Sequence, residues 1–142
     1  MVPQIHESPP RLRAISIRQP HAEAILLGEK RVEYRNRANR VSGPIYIYAA
    51  NTLDKGCGDE YGIDAATEAS LPRGVIVGVV DIEPSDDGDW PLSNPRRLAQ
   101  PFAPTMRAQP VWFYPWPEGG PIPAKAASQD IAGLIAKGKS GG

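Results

Sequence analysis

Apolar and polar positions along the chain follow two periods. Ile15 and Ile17 alternate with Ala14, Ser16 and Arg18, which predicts a strand over Arg13–Arg18 with the isoleucines on one face. Pro20 suits the first turn of a helix, Ala22, Ile25 and Leu26 recur at helical spacing, and Gly28 stands where a helix stops with positive φ. Lys30–Arg35 reads as a second strand, with Val32 and Tyr34 on one face and Arg31, Glu33 and Arg35 on the other. Gly43–Ala50 is a third, in which Ile45 and Ile47 alternate with Tyr46 and Tyr48. Val75–Ile82 is almost continuously β-branched, which predicts a strand buried on both faces. Val111–Tyr114 is a late aromatic strand, Asn94–Leu98 reads as a helical turn entered at Pro95, and Ile63–Ala69 as a short helix in the long connection Asn51–Ser70. Ile131, Leu134 and Ile135 mark a helix over Ala124–Lys137.

Strands and short helices in this order, without βαβ alternation, predict an α+β fold: a small mixed β-barrel of five to six strands with two to three short flanking helices. The 142 residues suffice for one domain with a core. Sixteen prolines and fourteen glycines favour turns and short elements. The expected organisation is a flexible N-terminal arm at residues 1–10, a globular domain at 11–116, and a Pro/Gly-rich linker with a C-terminal helix and flexible end at 117–142.

Composition narrows the functional classes. No apolar run reaches the roughly 18 residues that span a bilayer, so no membrane association is expected. The N-terminus lacks the basic start and apolar stretch of a secretory signal, and the single cysteine, Cys57, fits a reducing cytoplasm; the expected localisation is cytoplasmic. Net charge is zero, but residues 1–40 hold eight basic and four acidic side chains, residues 41–90 two and ten, and residues 91–142 six and two. Such segregation permits an anionic partner and argues against indiscriminate coating of nucleic acid.

The densest chemistry lies in Ile15–Arg40. The strand end Ser16-Ile17-Arg18-Gln19-Pro20 and the spacing Gly28-x-Lys30-x-x-Glu33-x-Arg35 resemble the ASCH domain, a PUA-like β-barrel family. Gly43–Ala50 and Gly74–Asp81 look like that family's third strand and buried central strand; Asp89-Trp90-x-Leu92-x-Asn94-Pro95-x-x-Leu98 and the strand around Trp112 also fit. The resemblance covers about residues 12–115 and implies a PUA-like barrel with a cleft lined by the Gly-x-Lys-x-x-Glu-x-Arg segment. It implies RNA or a nucleotide-like ligand as partner. No cofactor is expected, and no metal, because no second histidine or cysteine stands near His21 and the acidic residues of Asp81–Asp89 do not have calcium-loop spacing. Some family members are enzymes: a ribonuclease, and an amidohydrolase that deacetylates modified cytidine with a threonine nucleophile. This chain has Glu33 at the position of that threonine, which excludes a threonine acyl-enzyme there.

The binding residues expected from this are Ser16, Arg18, Gln19, Lys30, Glu33, Arg35, Arg37 and Arg40. Lys30 would meet a phosphate or act as a base, and Arg35 would present its planar fork while Glu33 accepts from an exocyclic amine. In an enzyme, Lys30 and Glu33 would be the catalytic pair. Ser16, Arg18 and Gln19 fit either anion binding at the helix start or simple capping, and Arg37 and Arg40 either phosphate contact or a solvated loop. His21 reads as a packed or exposed helix-start residue. Trp112, Phe113, Tyr114 and Trp116 read as core rather than as a stacking platform, and Asp81–Asp89 as a solvated acidic loop.

Overall fold

The computed structural model describes residues 6–140; the first five residues of the expected arm and the last two of the tail lie outside them. Six strands form one bent sheet in the order β2-β5-β4-β3-β1-β6. They are β1 (Ala14–Gln19), β2 (Val32–Tyr34), β3 (Gly43–Leu53), β4 (Val75–Ile82), β5 (Asp89–Phe102) and β6 (Trp112–Phe113). Among the described residues four short helices flank it: α1 (His21–Leu26), α2 (Ala65–Ser70), α3 (Ala124–Ala127) and α4 (Ile131–Ser140). The α+β class and the six strands are as expected above, with the barrel open as a half-barrel and four short helices where two to three were expected.

β1 and β3 pair in parallel, which requires the crossover that α1 and β2 provide. Every other pairing is antiparallel. The sheet curls until its two ends face each other, and side chains join them. Trp90 of β5 stacks on Trp112 of β6 at 6.0 Å between ring centroids. Arg35, just past β2, donates from Nη2 to the Ser16 carbonyl of β1 at 3.0 Å.

Strand alternation divides the buried residues into two clusters. Ile15, Ile17, Ile45, Ile47, Val77 and Val80 pack with Ala22 and Ile25 of α1. Tyr46, Tyr48, Phe102 and Phe113 pack on the other side with Trp116, Ala126, Ile131 and Ile135. The tail after Pro115 therefore completes a core on the sheet face opposite α1. α1 ends at Gly28 (φ 80), and the Glu29 and Lys30 amides both donate to the Ala24 carbonyl, turning the chain sharply into β2.

Three elements differ from expectation. Asn94–Leu98 is part of β5, not a helical turn: Leu92, Arg96 and Leu98 alternate inward, and a bulge between the Asp81–Ser93 and Val79–Arg96 pairs places Asn94 at φ 51 and accommodates Pro95. The single helix over Ala124–Lys137 is two, because the Asp130 carboxylate accepts from the Gly133 amide at 3.0 Å and starts α4 afresh. β3 also runs three residues beyond Ala50, to Leu53.

Candidate functional site

β1, the start of α1, β2, the end of β3 and a 3-10 turn at Cys57–Tyr61 surround a pocket of about 700 Å³. Its size falls within the usual range for small-ligand sites, roughly 300–1,000 Å³.

Glu33 anchors one wall. It pairs in register with Trp90, is only 8% exposed, and splits its carboxylate between two cations. Oε1 lies 3.5 Å from Lys30 Nζ, and Oε2 accepts from Arg35 Nε at 2.6 Å. Arg35 is held further by the Ser16 carbonyl, and its guanidinium lies 5.9 Å from the Trp90 ring centroid. Lys30 Nζ sits 5.0 Å from the centroid of Tyr34, whose exposed ring also lines the pocket. Three points of contact make Arg35 a fixed donor array rather than a mobile surface cation.

The facing wall carries a second cluster. His21 Nδ1 is 2.7 Å from the Tyr61 hydroxyl, and its Nε2 is 3.0 Å from Asp54 Oδ2. A carboxylate cannot donate, so the neutral imidazole carries its proton on Nε2 and accepts from Tyr61 at Nδ1. Burial, then the charge and hydrogen bond of neighbouring Glu60, push the Tyr61 phenol up to about 12, so it stays protonated. Asp54 also accepts from Arg18 Nη1 at 3.1 Å.

The segment bearing Asp54, Glu60 and Tyr61 is pinned from behind. Glu68 of α2, nearly fully buried, accepts from the Gly56 and Gly58 amides at 2.9 and 2.8 Å. A Cβ on Gly58 would come within 2.8 Å of the Ile63 carbonyl oxygen and 2.9 Å of Glu68 Oε1, so only glycine fits there. Cys57 within this segment has its thiol pushed up by desolvation and by the charges of Asp54, Glu60 and Glu68, which makes it a poor nucleophile.

Of the residues singled out from sequence, Ser16, Arg18, Lys30, Glu33 and Arg35 line the pocket, whereas Gln19, Arg37 and Arg40 do not. Gln19 is buried and structural: it accepts from the Glu23 amide and donates to the Pro72 carbonyl. Arg37 is exposed, and its carbonyl accepts from the Trp90 indole. Arg40 pairs with Asp86 at 2.9 Å on the surface. Arg96 and Arg97 pair with Asp81 and Glu23. Trp116 and Phe113 are core, as read, and Trp112 belongs to the barrel closure.

His21, Asp54, Glu60, Tyr61 and Tyr34 were not anticipated as site residues. Asp54 and Tyr61 stand 33 and 40 positions from His21, in a connection with no periodic signal. Their arrival changes the electrostatics: Arg18, Lys30 and Arg35 face Glu33, Asp54 and Glu60, so the pocket balances three cations with three carboxylates. Among the described residues no group of three or more His, Cys, Asp or Glu is arranged to hold a metal ion. No helix among them is long and apolar enough to cross a membrane.

A family model described as the ASCH domain matches residues 15–87. No curated protein matches the chain.

Proposed function

Because the chain belongs to the ASCH domain family, whose members are generally proposed to bind RNA, we propose that it binds RNA by taking one nucleotide into the pocket between β2 and the 3-10 turn. The observation that carries this reading is the buried Glu33 carboxylate held between Lys30 and Arg35 on the pocket wall. Such a row presents acceptor and donors side by side, the pattern of a nucleobase edge: Glu33 accepts from an exocyclic amine while Lys30 and Arg35 donate to ring oxygen or nitrogen. The exposed Tyr34 ring at the same wall supplies a stacking surface. Charge balance within the pocket favours a base over a phosphate. The phosphates then stay outside, within reach of Arg18, which is 58% exposed.

Titration of short RNAs tests this. Glu33→Gln and Lys30→Ala are each expected to weaken binding about 10- to 100-fold, the value of a hydrogen bond to a charged group. Raising salt is expected to weaken wild type and variants in parallel, since the salt-sensitive contacts lie outside the pocket. RNA affinity that neither substitution changes would sink the reading.

One observation favours a second reading, a hydrolase acting on RNA or a modified nucleoside: His21, oriented by Asp54 and hydrogen-bonded to Tyr61, shares the pocket with Lys30 and Glu33. These are groups suited to proton transfer and charge stabilisation. Incubating RNA with the protein, with and without divalent metal, beside His21→Ala, Lys30→Ala and Glu33→Ala separates the two. Cleavage lost in the variants identifies an enzyme, whereas intact RNA throughout excludes the ribonuclease.

A further inference from the structure

A second cavity, of about 300 Å³, lies beside the main pocket, and Lys30 lines both. Its floor is apolar, from Ile25, Val80 and Leu92, all buried. Its rim is polar, with the exposed Ser93 and Arg31. Arg31 differs from the cations of the main pocket. Among the described residues it has no carboxylate within ion-pair distance, and its Nε donates only to the Gly28 carbonyl at 3.2 Å. Lys30, by contrast, is committed to Glu33, and Arg18 to Asp54. An uncompensated arginine therefore stands at the mouth of an apolar cavity, next to the wall that cavity shares with the main pocket.

We propose that this cavity takes the base of the nucleotide adjoining the one in the main pocket, so that the protein reads a dinucleotide step. The inference rests on the nucleotide reading of the main pocket. An apolar floor suits the faces of a base, and the Ser93 hydroxyl serves as donor or acceptor to its edge. The phosphate joining the two nucleotides passes over the Gly28–Arg31 turn and meets the Arg31 guanidinium, a contact that adds affinity without reading sequence. Lys30 is the partition that splays the two bases apart.

The test compares nucleoside monophosphates with dinucleoside monophosphates by equilibrium binding to the full chain. Wild type is expected to bind the best dinucleotide about 10- to 100-fold more tightly than its component mononucleotides, the usual worth of one further base contact. Ser93→Trp, placing an indole at the rim of the second cavity, is expected to reduce that gain to about twofold or less while leaving mononucleotide affinity unchanged. Arg31→Gln, an exposed change that spares the fold, is expected to weaken dinucleotide binding and its salt dependence, again without touching mononucleotides. Equal affinity for one and two nucleotides in wild type overturns the proposal, as does a gain that survives both substitutions in variants with unaltered thermal melting. Failure of the parent reading looks different: mononucleotides then show no binding that Lys30→Ala weakens, and both proposals fall together.

Discussion

At the scale of single residues, the position of Arg35 depends on a glycine distant in sequence. The Arg35 amide donates to the Gly88 carbonyl at 2.7 Å, and a Cβ on Gly88 would run into the Arg35 carbonyl oxygen. Gly88→Ala must push the backbone of Arg35 away, and with it the guanidinium that holds Glu33 and the Ser16 carbonyl. The expected result is a loss of about 1–3 kcal/mol in urea unfolding, as for other overpacked sites, together with weaker ligand binding. Unchanged affinity in a destabilised Gly88→Ala protein would show that Arg35 does not matter to the pocket. The pairing of Glu33 with Arg35, two apart on one strand face, was legible from strand periodicity alone. The role of Gly88 was not, because a close backbone approach leaves no local mark in sequence.

At the scale of elements, α2 links a helix cap to the pocket wall. Asp64 caps α2 by accepting from the Thr67 amide at 2.8 Å, and that bond holds its carboxyl below the usual carboxylate range. A carboxyl lowered in the folded state contributes stability above the ordinary carboxylate range, and that contribution fades as pH falls through its lowered value. Asp64→Ala is therefore expected to lower the thermal midpoint at neutral pH, with wild type and variant converging only in acid. Because Glu68 of the same helix clamps Gly56 and Gly58, the substitution is also expected to weaken ligand binding at neutral pH. A constant gap between the two proteins across pH would rule out the cap as the source of the effect. β1 and β3 were readable from the two-residue alternation of their isoleucines, and β4 from its almost continuous β-branched run. β5 was misread at Asn94–Leu98 because proline and asparagine mark helix starts and strand bulges alike, and only pairing with β4 distinguishes them.

At the scale of the whole molecule, the family match ends at residue 87, yet the sheet needs β5 and β6 to curl and α3 and α4 to cover it. Ile131 is fully buried and Trp116 is 2% exposed, both against Tyr46, Tyr48 or Phe102 in one cluster. Ile131→Ala is expected to cost about 2–5 kcal/mol and Trp116→Ala about 3–5 kcal/mol in denaturant unfolding. Removing residues 117–142 is expected to expose that face and abolish cooperative unfolding; a truncated chain with the full-length midpoint would contradict this. No described residue of the tail lines the main pocket, so Ile131→Ala is expected to leave ligand affinity intact at temperatures where the protein stays folded.

The sequence by itself determined the faces of β1 and β3, the stop at Gly28, the two-residue spacing of Glu33 and Arg35, and the resemblance that the family match upholds. These features are written within a few residues of one another, where steric preference and side-chain period act. Only the tertiary structure decided what stands opposite. It brings Asp54, Glu60 and Tyr61 to His21, cancels the local excess of positive charge, and routes the tail to the far face of the sheet. Those outcomes depend on how a connection with no period folds back over the barrel. Charge in a pocket is a sum over neighbours in space, and a sequence displays only its neighbours along the chain.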